Sequence, residues 1–280
     1  MWQAVPMNPL LRTTFFSLLL GMLWTPSAGA WGNVGHRITG IIAASLLNHS
    51  AEQQVQQLLG EESLSVAATY MDTQRATLAK QWPQAEKWHY DNQSVCQQVP
   101  YCTDGHCATR QIERFRTLLA DRNAPRSERA LALRLLIHML GDIHQPLHLA
   151  DNADRGGNNL HVRLYTGGSR YSLHEVMDTV LLKQLQGNKS ITAYTAQLQA
   201  QYRSQIRQWQ QGDIKTWANE AHTLAVERLY GQLPGFVCHS PITATLTLPE
   251  NYVQSAKHYL PEQLTKAGAR IAWVLNNTFQ

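Results

Sequence analysis

The chain has 280 residues, 44% hydrophobic and 16% charged, with 12 histidines, four cysteines and a formal net charge of +4. A charge this mild suits an anionic substrate but does not argue for the long basic stripe of an extended nucleic-acid footprint. After the first thirty residues no apolar run reaches the ~20 residues that a bilayer span needs, so the expectation is a protein with no membrane anchor.

In chain order, the first thirty residues read as a secretory signal. Arg12 is the only charge, Phe15 to Trp24 is largely apolar, and Ala28-Gly29-Ala30 is a small-residue cleavage site. The predicted division is a removed leader over 1–30 and one domain over 31–280, secreted or periplasmic. Cleavage takes away Arg12 and no acid, so the balance falls by one to +3. Helical spacing then covers Ile38–Leu47, and Ala51–Leu59 between an expected Ser50 cap and Gly60. A third helix runs from a Ser63 cap to about Lys80. Residues 81–106 read as a loop, followed by helices over Thr109–Ala120 and Ser127–Ile143. A Gly- and Asn-rich stretch over 151–170 contains one alternating run, Leu160–Tyr165, with the pattern of a β-ribbon. Further helices are expected over Leu173–Leu185, Ile191–Gln210, Ile214–Tyr230 and Asn251–Asn277, with 234–249 as a loop. One all-α domain with a short β-ribbon is the simplest account.

Export suits cysteines that pair as disulfides, and four of them allow three pairings. Cys102 and Cys107 close a small loop, which leaves Cys96 with Cys238. A zinc site made of Cys and His106 is the rival, disfavoured because no C-x-x-C spacing occurs.

The densest chemistry lies in LIHMLGDIHQPLH. His138 and Asp142 are i and i+4 and share a helix face, as two ligands of one metal would. Pro146 ends that helix, so His148 can turn back toward the same cavity. LHEVMDTV repeats the pattern with His174 and Asp178. One such pair alone reads as a surface hydrogen bond or weak ion pair, whereas two pairs plus His148 point to more than one metal. After leader cleavage Trp31 offers an α-amine and a carbonyl oxygen, with His36 five residues on. Asp72 has Arg75 three residues later, and His89 stands among aromatics in KWHYDN.

WGNVGH at the expected mature terminus, the Asp72/Arg75 pair, WHY, H-x3-D-x3-P-L-H, GGN and L-H-x3-D together resemble the S1/P1 nucleases, and the likeness runs in order from Trp31 to Asp178. The resemblance implies a helical fold of the zinc phospholipase C and P1 nuclease type. It also implies a cofactor of three zinc ions and action on single-stranded nucleic acid and 3′-nucleotides. Carried over residue by residue, it puts one zinc on Asp72, His89, His138 and Asp142, and a second on His148, His174 and Asp178. A third falls to Trp31 and His36 with a shared Asp142. It leaves His144 and His161 without ligand roles, and it agrees with pairing Cys96 to Cys238 and Cys102 to Cys107. Arg75 is expected to neutralise phosphoryl charge, Tyr90 to stack on a base and Asn92 to contact the base edge. Asn92 stands where some members carry Asp, and Met177 where an aromatic residue is usual. Two other classes compete: a zinc phospholipase C-like phosphodiesterase acting on lipid headgroups, and a periplasmic zinc-binding protein without turnover. A monomer is the expectation.

Overall fold

The computed structural model describes residues 31–97 and 102–280, so the expected leader lies outside the described residues. The first helix, α1 (Asn33–Ser45), buries Ile38 and Ile42 on one side and His36 and Thr39 on another. It is followed by α2 (His49–Leu59), which starts earlier than the Ser50 cap predicts. The Asn48 side chain accepts from the Ala51 N–H at 2.8 Å, while the Ser50 hydroxyl donates to the Phe279 carbonyl at 2.7 Å.

The helix predicted from Ser63 to Lys80 is three short ones: α3 (Leu64–Ala67), α4 (Tyr70–Thr73) and α5 (Arg75–Gln81). The Thr69 and Thr73 hydroxyls donate to the Val66 and Tyr70 carbonyls, a local bonding that competes with a continuous ladder. Within the expected 81–106 loop, Ala85–His89 forms a 3-10 turn.

The two helices expected next are α6 (Ala108–Ala120) and α7 (Arg126–Asp142), and they lie side by side. Every residue of α7 from Leu135 to Asp142 is buried, so its C-terminal half is surrounded by protein. Pro146–His148 is a 3-10 turn beyond the helix end. Short strand β1 (Gln93–Ser94) pairs in parallel with β2 (Ala150–Asp151). The expected ribbon is β3 (His161–Leu164) against β4 (Gly167–Ser172), antiparallel, with His161 opposite Ser172. A third strand, β5 (Leu246–Leu248), lies parallel to β3 inside the segment read as a loop; its three residues are too short a run to show a period.

The helix predicted over Leu173–Leu185 is α8 (Leu173–Glu175), a π turn over Val176–Val180, and α9 (Leu181–Gln186). Next come α10 (Ile191–Gln201), α11 (Ile206–Trp209), where the single expected helix breaks, α12 (Ile214–Leu224) with a further π turn over Ala225–Leu229, and α13 (Glu250–Thr278). α13 rests on α1, and Gly268 makes that approach possible: a Cβ there would collide with the Ile42 side chain.

One apolar core gathers Met71, Trp88, Phe115, Leu133 and Trp217; a second gathers Trp31, Ile38, Leu173, Tyr194 and Leu260. Cys96–Cys238 and Cys102–Cys107 are the two disulfides, as expected. Among the described residues no helix is long and apolar enough to cross a membrane. The protein is thus a mostly helical domain with two disulfides.

Candidate metal centre and cleft

The N-terminal end of α1 is set against α7 and the π turn. The Trp31 indole N–H donates to the Gly141 carbonyl at 3.0 Å, and the Gly32 N–H donates to Asp178 O at 3.2 Å. His36 is thereby pressed onto His138, the rings stacked 3.9 Å apart. Residues 89–95 are zipped to residues 148–151: the Asp91 N–H donates to the His148 carbonyl at 2.9 Å, and His148 Nδ1 donates to the His89 carbonyl at 2.5 Å. Gly156 adopts φ +59° with its face against the Leu147 carbonyl, a place with no room for a Cβ. Its own carbonyl accepts from His174 Nδ1 at 2.7 Å.

These backbone acceptors settle tautomers. A carbonyl can only accept, so Nδ1 carries the proton in His138, bonded to Ala68 O at 2.7 Å, and likewise in His148 and His174. The Nε2 lone pair of each is left to face the site, the arrangement that orients a metal-ligating histidine.

Three groups of donors result: His36, His138 and Asp142; Asp72, His89 and His138; His148, His174 and Asp178. Within each group the donor atoms lie within 4.8 Å of one another. Asp142 joins the first two: its Oδ1 is 3.2 Å from His36 Nε2, and its Oδ2 is 3.0 Å from His89 Nδ1 and 3.4 Å from His138 Nε2.

The donors fit a cation better than they fit each other. Both nitrogens of His36, Asp142 Oδ1 and Asp178 Oδ2 are buried with no hydrogen-bond partner, a costly state for polar atoms. Burial drives His36, His89 and His148 well below the usual histidine pKa, their histidine neighbours adding to it. Burial, reinforced by Asp72 and Asp178, pushes Asp142 well above the carboxylate range. His174 is the exception: burial, the largest single influence, lowers it, but Asp178, the Gly156 carbonyl and Asp154 together leave it raised. A divalent cation would give the buried carboxylates a counter-charge and the lone pairs an acceptor.

Above the donors is a cleft of about 790 Å³, on whose walls are Arg75, Glu86, Tyr90, Asn92, Arg155 and Arg170, with His89, His148, His174 and Asp178 also lining it. Arg75 is bound to Asp72 at 3.0 Å and to Glu86 at 2.6 Å. Burial and Glu86 raise the pKa of the Tyr90 phenol, opposed by Arg155, Lys87 and Arg75. His161, without a ligand role in the sequence, is on the cleft wall. His144 turns away: its Nδ1 donates to Leu140 O at 2.7 Å, and its Nε2 accepts from Arg270 at 3.1 Å. Glu86, Arg155 and Arg170 lie outside every motif read in the sequence, and Gln145 lies inside LIHMLGDIHQPLH without an assigned role. Gln145 is fully buried, gives its amide N–H to Asp178 Oδ1 and takes the Leu147 N–H at 2.7 Å.

A helical domain that gathers histidine and aspartate donors at the foot of a polar cleft has the design of a metal-assisted hydrolase. A family model for the S1/P1 nucleases matches residues 31–280, and the chain belongs to that family. It is similar to Nuclease S1 of Aspergillus oryzae, 28% identical over 269 residues that cover 86% of this chain and 89% of that protein. It is also similar to Endonuclease 2 of Arabidopsis thaliana, 27% identical over 91% of this chain and 92% of that protein. Against Nuclease P1 of Penicillium citrinum the identity is 27%, with 87% and 96% covered. The chain is therefore a nuclease, a hydrolase acting on nucleic acid.

Proposed function

We propose that the chain is cleaved after Ala30, exported, and loaded with three zinc ions on the nine residues Trp31, His36, Asp72, His89, His138, Asp142, His148, His174 and Asp178. In that state it hydrolyses single-stranded DNA and RNA to 5′-phosphate products and removes the phosphate of 3′-nucleotides. The observation that carries this reading is Asp142, buried beneath the cleft, whose two oxygens face two different donor sets, one of which reaches through His89 into a cleft with arginines and a tyrosine on its walls. Zinc supplies a Lewis acid that makes water acidic near neutral pH and neutralises phosphoryl charge.

The chain's own groups do the rest. Asp72 aligns Arg75, whose other fork nitrogen is held by Glu86. That carboxylate is 54% exposed, and a surface partner of this kind is weakly held, so a phosphate oxygen displaces it. Tyr90, half-buried, offers a face on which an unstacked base lies, and Asn92 offers an amide to its edge. A base must leave its helix to reach Tyr90, which favours single strands.

The test is to give the processed protein single-stranded and duplex oligonucleotides, a 3′-nucleotide and phosphatidylcholine, and to identify the ends produced. Fragments with 5′-phosphates from single strands support the reading. Fragments ending in 3′-phosphates, or turnover of the lipid alone, would sink it.

A further inference from the structure

The cleft's arginines are kept in two ways. Arg75 is occupied by Asp72 and Glu86. Arg155 and Arg170 line the same cleft, both exposed, and among the described residues neither has a carboxylate within 4.0 Å. Glu175 shares that wall but forms no ion pair with either.

Local structure aims both at the cleft. Arg155 has φ +59°, a left-handed conformation that costs an ordinary residue roughly 1 kcal/mol. The turn is held by Asp151, whose Oδ1 accepts the Asp154 and Gly156 N–H groups at 3.0 and 3.1 Å. Arg155 immediately precedes the glycine that fixes His174, and its charge reaches the Tyr90 phenol. Arg170 lies on β4 two residues before Ser172, so strand alternation puts it on the same face as that cleft-lining residue. His174 follows four residues after Arg170.

Two unpaired, always-charged guanidinium forks beside the donor floor match a chain of phosphates spaced along a strand. We propose that Arg155 and Arg170 bind the phosphodiester backbone of the strand flanking the bond that is cut. This subsite serves polynucleotides and is idle for a mononucleotide. It rests on the nuclease reading above and adds where the strand runs.

The test separates binding from cleavage. In an Asp72→Asn background, which leaves the strand intact, binding of a fluorescent twelve-residue oligothymidylate is measured from low to high salt with and without Arg155→Gln/Arg170→Gln. Each lost phosphate contact on a single strand removes ~0.7 from the slope of log affinity against log salt, so the double variant loses about 1.4. In the active background the same double variant hydrolyses a 3′-mononucleotide at the wild-type rate, and Arg170→Lys restores about half of the lost slope. An unchanged salt slope, or an equal loss on the mononucleotide, overturns the proposal. A salt-sensitive complex with no cleavage in the active background would overturn the nuclease reading and leave this subsite standing.

Discussion

The Nε2 atoms of His148 and His174 face each other at 3.2 Å, while the Nδ1 of each donates to a backbone carbonyl. With both Nδ1 positions protonated, two lone pairs point at one spot, and Asp178 Oδ2 stands 3.1 Å from His174 Nε2. A cation placed there would satisfy all three donors at once. His174→Ala is therefore expected to lower the zinc content by one atom per chain, by elemental analysis, and to cut kcat/KM on single strands by more than ~100-fold. That exceeds what losing an outer partner of a ligand does. Unchanged zinc content would remove His174 from the centre.

Gln145 is an outer partner of this kind. It is fully buried, it holds Asp178 Oδ1, and its carbonyl oxygen caps the Pro146–His148 turn that delivers His148. Gln145→Leu keeps similar bulk and removes both bonds. Zinc affinity at that site, measured by competition with a chromophoric chelator, is expected to fall by about 10–100-fold.

His144 gives a pH signature distinct from the donors. Burial, and then Arg270, hold its imidazole well below the usual pKa. The unfolded chain binds a proton on this ring near pH 6.5 and the folded chain does not. Its contribution to stability is whole above that pH and is lost as pH falls toward the depressed folded value. Each pH unit within that window is worth up to about 1.4 kcal/mol. Denaturation of the wild type and His144→Gln from pH 7.5 to 5 is expected to show the wild type losing stability faster below 6.5. Parallel curves would contradict it.

The two disulfides differ in the length of chain they close. Cys96–Cys238 spans 142 residues of sequence and Cys102–Cys107 spans 5. On loop-closure entropy, removing the first costs about 5 kcal/mol and the second about 2 kcal/mol. Thermal unfolding of the paired Cys→Ser variants is expected to show the larger fall in Tm for Cys96/Cys238, and the reverse order would contradict this.

What could be read ahead of the structure followed the length scale of each feature. His138 with Asp142, and His174 with Asp178, are one helical turn apart, so local periodicity exposed them. Asp72 and His89 sit in separate segments, and only their likeness to known motifs joined them to the rest. The helix through Asp72 was expected to be continuous because threonine hydroxyl bonds to the backbone leave no mark on hydrophobic spacing. Gln145 is uncharged and adjacent to a proline, so nothing local marks it as the partner of a carboxylate 33 residues away. Arg155 and Arg170 become neighbours of the donor floor only because the glycine-rich turn and β4 fold back onto it. Tertiary approach made the cleft, and no window of sequence contains it.

The central claim is that nuclease activity depends on zinc held by these histidines and aspartates. The direct measurement is zinc per chain and single-strand cleavage on protein beginning at Trp31, followed through chelation and return of zinc. Three zinc ions per chain, loss of cleavage as they are removed, and recovery as they are restored are the expected result. Full cleavage by zinc-free protein would contradict it.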